Sequence, residues 1–290
     1  MHDFLRSIGF KSLSTRKEMD KIIEWVLEKP DSLSIVSTGR ESNMAQANRD
    51  IAGHAGISVV GEVDETGKLI PEFYFPYIGS THTSSEAQIT AEKQVERNGF
   101  VGMLEDHRLG TALIFTVRNH TDAMKRRMDD FYNIWYRKVN LSALGTDGII
   151  LLGQEISEKV LKQAEEDKKK RRRLMREAHE GDASAMETIA RNDIHKYHLV
   201  MRRLEETDVY TVVKSFLMPY GIETERYYFL ASIKASQLVE NPFSHEKFYR
   251  LLLEVNEIEM VLAINEKDLT GIPEPGRRIR CHAWFMGEIH

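Results

Sequence analysis

The stretch Gly271–Ile289, GIPEPGRRIRCHAWFMGEI, decides how this chain is to be read. It carries the only cysteine, Cys281, beside His282 and just after the pair Arg277 and Arg278. Two readings compete: a Cys/His catalytic site with an anion clamp, or a tight turn feeding a buried strand. In an extended strand neighbouring side chains point to opposite faces. Ile279, Cys281, Ala283 and Phe285 then share one apolar face, and Arg278, Arg280, His282, Trp284 and Met286 share the other. A cysteine nucleophile needs its base close in space, and these two side chains face apart. Pro273, Pro275 and Gly276 supply turn chemistry ahead of the strand. The stretch is therefore read as turn and closing strand, with Cys281 a small buried residue.

Working outward, the rest of the second half is mixed. DVYTVVKSFLMPYG, Asp208–Gly221, is predicted as a short helix ending at Pro219. ERYYFLASIKASQL, Glu225–Leu238, and KFYRLLLEVNEIEMVLAINEKDL, Lys247–Leu269, read as strands and short helices. The first half opens with TRKEMDKIIEWVLEKP, Thr15–Pro30. Thr15 and Glu18 have capping-box spacing, and Met19, Ile22, Ile23, Val26 and Leu27 form the buried stripe of an amphipathic helix. From Ser32 the texture turns to β. Gly56–Gly79 reads as a hairpin turning at Asp64-Glu65-Thr66-Gly67, and Phe100–Asn119 as a second turning near Asp106 to Arg108. Val139–Gly153 reads as a third, turning at Thr146-Asp147-Gly148. Thr121–Lys138 reads as a helix capped at Asn119 or Thr121.

Consecutive hairpins imply antiparallel sheets with one face to cover, and amphipathic helices to cover it. The expected fold class is α+β. It has an N-terminal α+β domain over 1–153, a charged helical connector over 154–206 and a smaller α+β domain over 207–290. The two share only a short Pro-Tyr corner, in YFPYIG and LMPYG.

Composition bounds the function. At 290 residues and 41% hydrophobic content the chain can bury an ordinary core. A net charge of −5 gives no global field for nucleic acid or anionic lipid. One cysteine excludes an internal disulfide or a Cys-based zinc cluster and suits a reducing cytosol. Asp3 and Arg6 break the apolar run a signal peptide needs, and no apolar run is long enough to span a bilayer. A cytoplasmic protein with no membrane partner is expected.

Other motifs weigh toward structure. Lys168, Lys169, Lys170, Arg171, Arg172 and Arg173 are a run of cations that can meet a phosphate backbone. Yet Glu165, Glu166 and Asp167 stand four residues before Lys169, Lys170 and Arg171, the favourable order for helical pairs. No aromatics interleave the run, so a solvated helix is the preferred reading and nucleic-acid binding the alternative. His195 and His198 share a helix face, but spacing indicates no third ligand, so no metal is expected. Glu105-Asp106-His107-Arg108 falls at a turn, where polar residues belong anyway. No nucleotide loop occurs, and no cofactor is expected.

Several stretches resemble an uncharacterised family, catalogued as a domain of unknown function, from anaerobic Gram-positive bacteria. They are Glu72–Gly79, Gly110–Asn119, Arg173–Ile189, His195–Val213, Ser215–Ile233 and Ile264–Ile289. The resemblance runs nearly end to end. It implies a bacterial cytosolic origin and a co-linear two-part chain, and it brings no activity and no site residues.

The resulting expectation is a non-catalytic binding or regulatory protein that contacts another macromolecule or a second copy of itself. The rival is an enzyme with an inter-domain cleft for an anionic ligand, with Arg277, Arg278 and His282 as its binding residues.

Overall fold

The computed structural model describes residues 2–37, 43–94, 99–129, 135–151, 213–222 and 224–290, together with positions 170, 173, 174, 177, 184 and 188. One compact unit is made of Met1–Leu151 and Ser215–His290, and a second of Leu152–Lys214. The described positions of the second unit between 170 and 188 are helical, and Arg173 pairs with Glu177 one turn on at 3.4 Å.

The first unit begins with a 3-10 helix, Asp3–Ile8, and helix α1, Arg16–Glu28. The capping box at Thr15 and Glu18 is formed in both directions. Met19, Ile22 and Val26 are buried against two strands of the sheet that follows. That sheet holds β1 (Ser32–Ser37), β2 (Asn43–Ala52), β3 (Ala55–Val63) and β4 (Leu69–Ile78), antiparallel and in chain order. The β3–β4 hairpin turns where the sequence predicts. Asp64 accepts backbone hydrogen bonds from Thr66 and Lys68, and Gly67 supplies a φ of +82°.

The larger sheet has eleven strands. In chain order these are β5 (Gln88–Lys93), β6 (Phe100–Glu105), β7 (Leu113–Val117), β8 (Trp135–Tyr136), β9 (Val139–Leu151), β10 (Phe216–Pro219), β11 (Arg226–Glu240), β12 (Lys247–Val255), β13 (Ile258–Asn265), β14 (Leu269–Thr270) and β15 (Arg278–Ile289). Helix α2, His120–Asp129, follows β7. The ladder runs β10-β11-β12-β13-β9-β15-β7-β6-β5-β8, and β11 also pairs with β15. The pairing of β11 with β15 closes β11, β12, β13, β9 and β15 into a five-stranded barrel. The closing stretch of the sequence is thus a central strand. It is antiparallel to β9 and β11 and touches β7 in parallel.

A five-stranded barrel is narrow, so its interior takes small side chains among the large ones. Ala143, Ala231, Cys281 and Ala283 sit inside with Phe229, Leu251, Met260, Leu262, Ile279 and Phe285. Gly145 belongs to the same constraint, because a Cβ there would lie 2.8 Å from the Cys281 sulfur. The outer flank of the barrel is apolar as well. Leu144, Val261, Ala263, Trp284 and Met286 join α1, the 3-10 helix and the four-stranded sheet in a second core.

The α+β expectation is overturned, because the described chain is mostly β, a closed barrel plus antiparallel sheet, with few helices. Four local readings failed with it. Trp135–Tyr136, inside the stretch Thr121–Lys138 expected as helix, is a strand paired with β5. Val139–Leu151 is one strand and not a hairpin. Asp147 takes the positive φ that its Thr-Asp-Gly setting suggested, at +54°. It uses it in a bulge, where Asp147 and Gly148 stand opposite Cys281 alone. Phe216–Pro219, expected at the end of a helix, is an edge strand. In Lys247–Leu269 the expected short helices reduce to one 3-10 turn, Glu266–Asp268, after two strands joined at Asn256 and Glu257, both at positive φ. Among the described residues no helix is long and apolar enough to cross a membrane.

Candidate functional site

The structure places Cys281 and His282 as the alternation requires. Cys281 is fully buried in the barrel, and its thiol donates to the Thr146 carbonyl at 3.2 Å. Burial pushes that thiol far above its ordinary value, so it is no thiolate nucleophile. His282 lies on the outer face, half-buried, stacked on Tyr228 at 4.7 Å and against Tyr220 at 4.3 Å. Arg278 and Arg280 lie on that same outer face of β15, both half-buried. Arg277 belongs to the preceding turn, where it pairs with Glu274 at 2.6 Å and donates to the Ile272 carbonyl. That turn is tied to β11, because Gly276 N–H donates to the Ile233 carbonyl and Ile233 N–H to that of Arg277. Of the basic run, Lys170 and Arg173 are described and exposed, and Lys168, Lys169, Arg171 and Arg172 lie outside the described residues, as do His195 and His198. Buried Asp106 pairs with half-buried Arg108 and with Ser85 at their turn, and against the cost of burial the guanidinium holds the carboxyl well below the usual range. Of the two Pro-Tyr corners, Tyr77 is buried with its hydroxyl on Asp50, and Tyr220 is exposed. Among the described residues no group of acids, histidines and cysteine has metal-site geometry.

Two cavities stand out. One, of about 250 Å³, is polar, lined by Asp31, Asp50, Tyr77, Arg118 and Glu288 among others. Several of its groups already engage one another: Arg118 pairs with Glu288 and lies over the Tyr77 ring, and Tyr77 donates to Asp50.

The other, of about 440 Å³, is the candidate site. It lies between β4, the edge of the four-stranded sheet, and the β7 and β15 part of the large sheet. Four consecutive residues of β4, Glu72 to Phe75, line one side. Thr116 and Trp284 line another, and the Trp284 indole N–H donates to the Thr116 hydroxyl at 2.9 Å, which fixes the ring. Gln94, Gly99, His120 and Glu225 complete it, with His2.

His120 is the unusual group. It is the first residue of α2, and its place is set by its neighbour Asn119. The Asn119 amide donates to the Ile289 carbonyl and accepts from Ile289 N–H, clamping the helix start to β15. His120 is 3% exposed, among the rings of Phe73, Phe75 and Phe100 at 5.2 to 6.3 Å. Burial in this apolar setting lowers its pKa to about 4, so the ring is neutral at pH 7. Its Nδ1 accepts from Phe100 N–H at 3.3 Å, which leaves the proton on Nε2. That Nε2 is buried with no hydrogen-bond partner among the described residues. Glu225 is 6% exposed, and its carboxylate accepts from the Gln94 amide at 3.0 Å and the Thr224 hydroxyl at 3.1 Å. Sequence reasoning missed this site. Its only local signal was the aromatic run beside an acid at Glu72–Phe75, and its other members come from six other segments of the chain.

The fold and the cavity define a mostly β, barrel-containing protein with one aromatic, acid-bearing pocket in its larger unit. The chain belongs to the family described as a domain of unknown function, E. rectale gene description (DUF3881), whose model matches residues 5–287. This is the family type expected from the sequence, from an anaerobic Gram-positive bacterium and without an established activity. No curated protein and no solved structure matches the chain.

Proposed function

We propose that this chain is a cytosolic, non-catalytic binding protein whose ligand is a small molecule held in the 440 Å³ cavity. One observation carries the reading: His120, a buried and neutral histidine whose donor has no partner among the described residues, lines a preformed aromatic cavity of ligand size. Buried donors are nearly always satisfied, and small-molecule sites are aromatic-lined with few, placed polar groups. Nε2 itself is closed to solvent, so a ligand acceptor completes the set once a small turn of the ring opens it to the cavity. Regulation would follow from occupancy, because β4, β7, α2 and β15 all contribute to the wall and would be stiffened together. The rival, an anionic ligand at Arg277, Arg278 and His282, predicts a different pattern of losses.

The test is a thermal-shift screen of the full chain with small molecules spanning both charges and neutral compounds. The discriminating variant is Gly99→Leu. A Cβ at Gly99 meets only ordinary contacts, 3.5 Å from the His120 ring and 3.7 Å from Gln94, so the longer side chain can enter the cavity with the backbone kept. Stabilising hits that vanish in Gly99→Leu and survive Arg277→Ala/Arg278→Ala support the reading. Hits that survive Gly99→Leu and vanish in the double arginine variant overturn it in favour of the anion site, and a screen with no hits overturns it outright.

A further inference from the structure

We infer that the ligand of this cavity is an organic cation, an ammonium group carried on an apolar body that also bears a hydrogen-bond acceptor. The inference rests on the cavity being a small-molecule site and adds the chemical class of its occupant.

Three features of the wall point the same way. First, among the described residues the carboxylates that line it, Glu72 and Glu225, have no lysine or arginine beside them in the wall. Glu225 is the telling one. A buried carboxylate is normally offset by a cation, and the hydrogen bonds recorded for Glu225 come from the neutral side chains of Gln94 and Thr224. An ammonium in the cavity would supply the missing charge. Second, Phe73, Tyr74, Phe75 and Trp284 line the same space. Aromatic faces attract cations through the ring quadrupole, most strongly where water is excluded. They also cover the apolar body of such a ligand. Third, the unsatisfied polar atom found among the described wall residues is a donor, not an acceptor. His120 is neutral with its proton on Nε2, so it cannot receive an ammonium hydrogen, and once the ring turns to open Nε2 it pairs only with an acceptor. The wall therefore specifies two poles: a positive nitrogen toward Glu225 and an oxygen or ring-nitrogen acceptor toward His120. An anionic ligand would set its charge beside the buried Glu225 carboxylate in a partly desolvated space, where like charges repel strongly.

The test uses three probes of matched size, each carrying a phenol oxygen as acceptor, on the full chain at 150 mM salt, by isothermal titration calorimetry: 2-(4-hydroxyphenyl)ethylammonium, 2-(4-hydroxyphenyl)ethanol and 3-(4-hydroxyphenyl)propionate. The expected result is that the ammonium binds at least tenfold more tightly than the alcohol, and that the propionate does not saturate. Glu225→Gln keeps an acceptor for the Gln94 amide while removing the charge. It is expected to bring the ammonium down to the affinity of the alcohol and leave the alcohol unchanged. Circular dichroism of that variant confirms that it folds. Equal affinities for alcohol and ammonium in the wild type would overturn the charge assignment and leave the cavity site standing. Ammonium binding that persists in Gly99→Leu would place that probe elsewhere and overturn both readings. Failure of all three probes to saturate at millimolar concentration would overturn the cation inference, while the wider screen still judges the cavity.

Discussion

His120 is where a single residue exposes the character of the molecule. Its neutral form is selected by burial alone, with a pKa of about 4 in place of 6.5. The unfolded chain therefore takes up a proton between pH 6.5 and 4 that the folded protein refuses. Stability is unaffected by this group above pH 6.5 and is lost as pH falls toward 4. The expected loss between pH 7 and pH 4.5 is about 2 to 3 kcal/mol from His120, read from urea midpoints. His120→Gln has no such titration and should show a flatter pH profile in that window. An unchanged slope would mean that the imidazole reaches water. The paired acids Asp106, Glu246 and Asp268, whose carboxyls are all held below their ordinary values, act at lower pH and do not imitate the effect. Nothing in Asn119-His120-Thr121 announced this role, since the sequence marks only a helix start there. What isolates the ring is Phe73 and Phe75, more than forty positions away and brought in by another sheet. Cys281 was legible by contrast, because strand alternation fixes a face from local spacing alone.

At the scale of elements, the β3–β4 hairpin positions the aromatic wall, and two of its glycines act for different reasons. Gly67 sits in open space at a φ of +82°, so Gly67→Ala should cost about 1 kcal/mol through backbone strain only. Gly61 faces β4 at a register shift, where an added Cβ would collide with the Ile70 carbonyl and stand 2.9 Å from the Glu72 nitrogen. Backbone must then move, and the strand that moves begins the cavity wall. Gly61→Ala should lose roughly 2 kcal/mol or more and weaken ligand binding, while Gly67→Ala leaves binding unchanged. Chemical denaturation with a binding titration checks both, and equal costs would show that β4 is not packed as described. The hairpin turn itself was legible because Asp64 and Gly67 are local chemistry. The bulge at Asp147 was misread because its turn-like residues serve a continuous strand, held open by pairing with β15 and not by anything nearby in sequence.

At the scale of the whole molecule, the barrel draws strands from both ends of the chain. Strand β9 has as neighbours β13 and β15, both from Ser215–His290. A chain ending at Leu151 would expose two apolar edges of β9 and the outer flank that covers the four-stranded sheet. Met1–Leu151 expressed alone should therefore lack cooperative unfolding and disperse poorly by proton NMR. Addition of Ser215–His290 in trans should restore structure if anything does. A well-folded Met1–Leu151 would refute the shared-sheet account. The sequence by itself determined α1 with its capping box, two hairpins, the strand character of the closing stretch and the inward thiol. Each of these is set by contacts within a few residues or by a fixed period. Only the tertiary structure decided that β11 and β15 meet to close a barrel, and that the two halves share one sheet. It alone brought Glu225, His120 and the Glu72–Phe75 run to one cavity. Strand pairing across more than a hundred residues depends on which apolar faces can be buried together, and no local pattern encodes that choice.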